Sequence, residues 1–287
     1  MKHQPIIIIG AGRSGTNMLR DSLCSMNGFE TWPCDEINYI WRHGNIRHPS
    51  DRFTEFEARP EVKQFIVRSF EKLEKVSKAN YVVEKTCANS LKVPFLNAVF
   101  PHARYIFIVR DGRDAACSAI QRWKASLELR YIFKKVRYVP PSDMPYYGIR
   151  YFMNRLQKLL SKEKRLAFWG PLYPGMMNDL RKDTLLEVCG KQWRECVETA
   201  ARDLFKLDQS RVYKMQYEHF VKDPAREMKE ILRFIGAEIP EKDILRSVVH
   251  VAPHHVGKFI KNISEEDLIR LNAIVEPTLS EWYEKIR

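Results

Sequence analysis

The sequence predicts an α/β fold with three layers: a central parallel sheet between two sets of helices, carrying a helical insertion. Three observations predict it. An unbroken apolar run, Ile6 to Ile9, leads into a glycine-rich loop and then a helix-length segment. Short β-rich runs recur along the chain with helix-length stretches between them, the pattern of βαβ units. The 287 residues are 45% hydrophobic, enough for one large domain with a substantial core.

The elements follow in order. Ile6 to Ile9 shows no polar alternation, as a strand covered on both faces requires. Thr16 to Met26 reads as a helix, and Glu61 to Lys78 as a charged amphipathic one. Tyr81 to Glu84 is the second strand. Arg104 to Val109 is the third, with a helix from Asp111 to Lys124 behind it. Arg211 to Gln216 is the fourth, and helices follow at Pro224 to Ile235 and Glu265 to Lys285. From about Trp123 to Met177 no strand is legible. That stretch is rich in aromatic and basic residues, with turn signals at Pro140-Pro141 and in GPLYPG. We read residues 1–287 as a single domain and 123–183 as a helical insertion or lid over the site, with an ordinary packing subdomain as the alternative.

Charge narrows the partners. Lys and Arg number 48 against 36 Asp and Glu, a formal +12, which calls for anionic partners without choosing among them. No helix-turn-helix or RNA-binding signature accompanies it, so nucleic acid is not expected. The cysteines at 24, 34, 87, 117, 189 and 196 form no CxxC and read as reduced thiols. Four isoleucines before Gly10 are too few for a signal-peptide core or a membrane span, so a soluble cytoplasmic protein is expected.

The loop Gly10-Ala11-Gly12-Arg13-Ser14-Gly15 admits three readings. It matches GxGxxG, a dinucleotide fingerprint that is weak on its own. It nearly matches a P-loop, but Thr16 stands where the phosphate-binding lysine of an ATPase or kinase belongs. The third reading uses every residue. Backbone N–H groups of Ser14, Gly15, Thr16 and Asn17 would face an anion at a helix N-terminus, with side-chain donors from Thr16 and Asn17. Arg13 would add a permanently charged planar fork.

A second constellation follows the third strand. Arg110 stands at a strand's carboxyl end, where a doubly wound sheet opens its ligand crevice. Ser118 lies eight residues on, about two helical turns. The pair suits a second phosphate; the competing account is an Arg110–Asp114 ion pair with Ser118 facing a helix.

RSGTNML followed by VRDGRDAACSAI resembles the sulfotransferase family, which uses 3′-phosphoadenosine 5′-phosphosulfate (PAPS) and releases adenosine 3′,5′-bisphosphate (PAP). The likeness extends to Trp193 in CGKQWRECVE, to QYEHFVKDP and to HHVGKFIK, leaving out Trp123 to Asp183. It is closest to the tyrosylprotein and bacterial branch. The resemblance implies a P-loop-like fold. Arg13, Ser14, Gly15, Thr16 and Asn17 would grip the 5′-phosphosulfate, and Arg110 and Ser118 the 3′-phosphate. Tyr217 would contact adenine, and Lys258 would reach the 3′-phosphate. Lys85 would assist the leaving phosphate. The histidine base that the animal cytosolic enzymes carry after the second strand is missing here; the resemblance to the tyrosylprotein branch implies Glu36 as the base, with Asp35 as the neighbouring candidate. No metal is expected; the His254-His255 pair has no third ligand at suitable spacing. The implied reaction moves a sulfuryl group to a hydroxyl or amine of a carbohydrate, phenolic or other small-molecule acceptor. The competing functions are a nucleotide-dependent phosphotransferase and an NAD(P) oxidoreductase.

Overall fold

Five parallel strands lie in the order β2-β3-β1-β4-β5 at the centre of the protein. They are β1 (Ile6–Ile9), β2 (Phe29–Glu30), β3 (Tyr81–Lys85), β4 (Arg104–Val109) and β5 (Val212–Gln216). The structure is a computed structural model that describes residues 4–124, 136–160, 166–253, 256–261 and 263–286. The His254-His255 pair and residues 125–135 and 161–165 of the insertion lie outside the described residues.

Strand alternation builds a core on each face. Ile7, Ile9, Tyr105, Phe107 and Val109 point into the larger core. It includes Ile66 and Phe70 of α3 (Pro60–Ser77), Phe95 and Leu96 of α4 (Val93–Val99), and Ala115 and Ala119 of α5 (Gly112–Lys124). Ile6, Ile8, Ile106 and Ile108 point the other way, onto Leu19 and Leu23 of α1 (Thr16–Cys24) and onto a helix at Pro224–Ile235. A period of two thus gives each strand two dry faces, which is why these runs show no polar alternation.

Pairing registers bring the functional loops to one edge. Ile8 of β1 lies beside Lys85 of β3, and Ile9 beside Phe107 of β4. Val109 of β4 lies beside Gln216 of β5. The chain leaves β1 for the β2-β3 side and returns to place β4 on the other, so the sheet's switch point falls between β1 and β4. Ligand crevices of open α/β sheets form there, outside the carboxyl ends of the strands.

The predicted strands and main helices agree with the structure to within about two residues, with one exception at the C-terminus. The predicted helix from Glu265 to Lys285 is α-helical only to Thr278; Leu279–Tyr283 is a π-turn and Glu284–Ile286 a 3₁₀ turn. Pro277 has no N–H to donate, and the ladder widens just beyond it. β2 was not foreseen, because two residues show no period. Between residues 123 and 183, α6 (Met144–Leu160) and α7 (Met176–Lys182) are α-helices, and no strand occurs among the described residues there. A 20-residue helix, α8 (Leu185–Leu204), then packs across α5.

That packing depends on Gly112. A Cβ at this position would stand 2.6 Å from the Trp193 ring of α8. The Trp193 indole also donates to the Arg110 carbonyl at 3.0 Å. Gly112→Ala is therefore expected to lower stability by about 1–3 kcal/mol, the usual cost of overpacking, read as an earlier urea midpoint. An unchanged midpoint would contradict this close approach.

Candidate functional site

The loop between β1 and α1 has two unusual backbone positions. Arg13 has φ 70 and Gly15 has φ 83. A left-handed arginine costs about 1–3 kcal/mol, and such strain is kept where geometry is needed. The Ser14 N–H, expected from the sequence to face an anion, closes this turn instead by donating to the Ala11 carbonyl at 3.2 Å, so the N–H groups at the open end of α1 begin at Gly15. Gly15 caps α1 without any side-chain cap. The first-turn N–H groups of a helix have no partner inside it. Ser14 is fully buried, and its Oγ has no hydrogen-bond partner among the described residues. Gly15 admits no side chain, because a Cβ there would meet the Tyr217 ring at 2.4 Å.

Around this loop the structure gathers one basic cluster. Arg13 Nε donates to Ser118 Oγ at 2.9 Å. Arg110 Nη1 donates to the Arg13 carbonyl at 3.0 Å, and its guanidinium lies 4.6 Å from the centroid of the buried Tyr217 ring. The ion pair of Arg110 with Asp114 is present at 3.5 Å. Asp114 also accepts from the N–H groups of Gly257 (2.7 Å) and Phe259 (3.0 Å), which fixes the Lys258 loop against the start of α5. Burial, then repulsion by Arg122 and Arg110, pulls the Arg13 guanidinium below the ordinary arginine range. Arg122 is a component the sequence reading missed. Its signal was its place one helical turn beyond Ser118 on α5.

A second cluster occupies the other side of the loop. Lys85 ends β3, and its Nζ lies 3.1 Å from Glu36 Oε1 and 3.5 Å from Asp35 Oδ1. Glu36 Oε1 also accepts from the N–H of Cys87 at 3.3 Å. Asp35 Oδ1 accepts from Asn17 at 2.7 Å and from Arg20 at 3.0 Å. Thr16 Oγ1 contacts Cys87 Sγ at 3.7 Å. Burial works against the Lys85 charge, but attraction by Glu36 and Asp35 outweighs it and raises the ammonium above its ordinary range. Behind it, burial pushes Glu84 up to about 7, while hydrogen bonds from Thr86 and Asn89 at 2.6 Å hold its carboxyl in place.

Residues 166–173 form one strap that runs beside the glycine-rich loop. Leu166 N–H donates to Trp123, and Gln192 Nε2 donates to the carbonyls of Trp169 and Pro171, both at 2.9 Å. Leu172 pairs with Asp51 through its N–H (2.8 Å) and its carbonyl (2.7 Å). Asp51 is in turn held by buried Arg42 at 2.9 Å and faces Lys92 at 3.8 Å. So anchored, the strap sets the Trp169 ring over the loop: a Cβ on Gly12 would touch its Cη2 at 3.2 Å. Sequence reading placed aromatics in this region without singling out Trp169.

A glycine-rich loop carrying Arg13, at the switch point of a five-stranded parallel sheet, defines a P-loop-like α/β protein. The chain belongs to the sulfotransferase family, whose sequence model matches residues 5–166 and 170–241. Membership makes it a transferase. The sulfotransferase domain from the curacin biosynthetic pathway is 14% identical with TM-score 0.55, covering 94% of this chain and 96% of that one. A Mycobacterium avium sulfotransferase is 14% identical with TM-score 0.56, covering 98% and 77%. A mouse sulfotransferase complexed with PAP is 12% identical with TM-score 0.50, covering 94% and 82%. These likenesses show a shared fold. No curated protein matches the chain. Among the described residues, no group of three or more His, Cys, Asp or Glu is arranged to hold a metal ion. Also among them, no helix is long and apolar enough to cross a membrane.

Proposed function

We propose that this protein transfers a sulfuryl group from PAPS to a hydroxyl or amine of a carbohydrate or small-molecule acceptor. One observation carries the reading: the buried, partnerless Ser14 Oγ lies in a loop whose Arg13 is crowded by Arg110 and Arg122. Like charges packed together with an unsatisfied donor suit a bound polyanion. The residues therefore fit the donor, which supplies an activated sulfuryl group.

In this reading the 5′ end lies on the N–H groups of Gly15 to Asn17 and on Ser14 Oγ, with Arg13 against its charge. The 3′-phosphate lies between Arg110, Ser118 and Lys258, and Tyr217 borders the base. Arg122 adds charge beside Arg13. The phosphotransferase alternative loses its footing at Thr16, where a P-loop kinase would carry lysine. Here the cation comes from the neighbouring strand, as Lys85. Glu36 takes the acceptor's proton, and the contact with Lys85 at 3.1 Å holds it in place. As Glu36 is protonated, Lys85 is released to the departing phosphate oxygen. The acceptor oxygen bonds to sulfur as the sulfur–phosphate oxygen bond breaks, so PAP leaves with the electron pair. No residue here needs a metal for charge compensation. Trp169, set against Gly12, offers a flat apolar face to the acceptor, which suits a sugar or phenol ring.

Thermal-shift titration tests the donor. PAP at about a hundred times its Kd is expected to stabilise the protein by about 2.7 kcal/mol, with ATP and NAD doing markedly less. Preference for ATP or NAD would overturn the reading. Arg110→Ala is expected to weaken PAP about 10- to 100-fold, the value of a charge-assisted bond to phosphate. Adenosine 5′-phosphosulfate, which lacks the 3′-phosphate, should lose far less. Equal losses would remove Arg110 from the 3′ site.

A further inference from the structure

Helix α6 (Met144–Leu160) turns its apolar stripe away from the protein. Ile149, Phe152, Met153 and Leu156 stand at i, i+3, i+4 and i+7 and share one face. They are 68%, 64%, 56% and 37% exposed. Packing is done by other positions. Tyr147 lies against the main core, and Asn154 Oδ1 accepts the Ala167 N–H at 2.7 Å. A surface helix ordinarily buries such a stripe, and a contiguous exposed apolar patch marks a binding surface.

Charge selects the occupant. The helix carries Arg150, Arg155 and Lys158 and neither Asp nor Glu. In the sequence, residues 134–165 hold nine Lys or Arg against two Asp or Glu, so +7 of the chain's +12 falls in this stretch. One of those two acids, Asp143, is buried and bonded to His43 at 2.8 Å. At about 100° per residue, positions 150 and 155 fall on opposite flanks of the stripe. A second copy of the chain would set two helices that carry cations and no acid against each other. An anionic lipid surface satisfies both features at once, taking the apolar stripe at the acyl boundary and the cations at the headgroups.

We propose that α6 is an interfacial helix that docks this transferase on anionic bilayers, lying on the membrane rather than crossing it. This goes beyond the proposed reaction and is tested without it. Full-length protein is co-sedimented with phosphatidylcholine vesicles, with and without phosphatidylglycerol. Binding is expected to need phosphatidylglycerol and to weaken as salt rises. Ile149→Ser/Phe152→Ser is expected to lower the apparent affinity about tenfold or more. The replaced side chains are exposed, and a circular dichroism melt confirms that the variant is folded. The proposal is overturned if wild type binds neither vesicle, if it binds both equally, or if the double variant binds like wild type. It is also overturned if wild type forms a dimer that the double variant loses, which would give the stripe to a second copy.

Discussion

Lys85→Met is expected to lower kcat by about 10²- to 10³-fold while PAP affinity changes by less than about tenfold. The reason is where the charge sits. The Lys85 side chain is 1% exposed at the end of β3, whereas its partners Glu36 and Asp35 are 25% and 26% exposed. A cation held this far from water keeps its field, because little solvent screens it. Methionine keeps the stem and removes only the charge, so packing is largely conserved. Asp35 retains Asn17 and Arg20, and both carboxylates reach solvent, so the folded state is expected to survive. A lysine that merely pairs with Glu36 for stability would give a different result. The variant would then melt earlier and, once folded, turn over at a wild-type rate. Single-turnover kinetics below the melting range separate the two, and a kcat within about threefold of wild type would remove Lys85 from the proposed chemistry.

β1 and β4 were legible because their runs are apolar on both faces, Ile6 to Ile9 and Tyr105 to Val109 being buried throughout. Arg13, Arg110 and Ser118 were legible for another reason: each sits at a fixed offset from a strand end. The structure joins them through bonds that spacing could not supply, such as Arg13 Nε to Ser118 Oγ. What escaped the sequence depends on distant segments. Trp169 reaches Gly12 only because Gln192, Trp123 and Asp51 anchor its strap from three separate parts of the chain. Arg122 matters through repulsion across space rather than through any motif. The competing account of Arg110, its ion pair with Asp114, is also present, and it does not exclude ligand binding. Asp114 spends its carboxylate on Arg110 and on the Lys258 loop together, so the pair ties the two proposed 3′-phosphate elements to one point.

Glu36 and Asp35 are adjacent in sequence, and their surroundings predict opposite behaviour on amidation. Asp35 Oδ1 is taken up by Asn17, Arg20 and Lys85, and its carbonyl accepts from Arg20 at 2.9 Å. It ties α1 to the loop that carries Glu36, a framework role. Glu36 meets Lys85 and the Cys87 N–H through Oε1 and is 25% exposed. Glu36→Gln is therefore expected to cut kcat by about 10²- to 10⁴-fold, the range for losing a general base, with PAP affinity nearly intact. The variant's pH–rate profile should also lose its acid limb. That limb reports deprotonation of the base, and glutamine has no proton to lose. Asp35→Asn should do the reverse. Arg20 and Lys85 lose a charged partner, so the melting temperature falls, but the acid limb stays. If Asp35→Asn abolishes the limb and Glu36→Gln keeps it, the base is Asp35 and the Lys85–Glu36 pair is structural. If both variants keep it, the acceptor's proton leaves by a route that neither carboxylate serves.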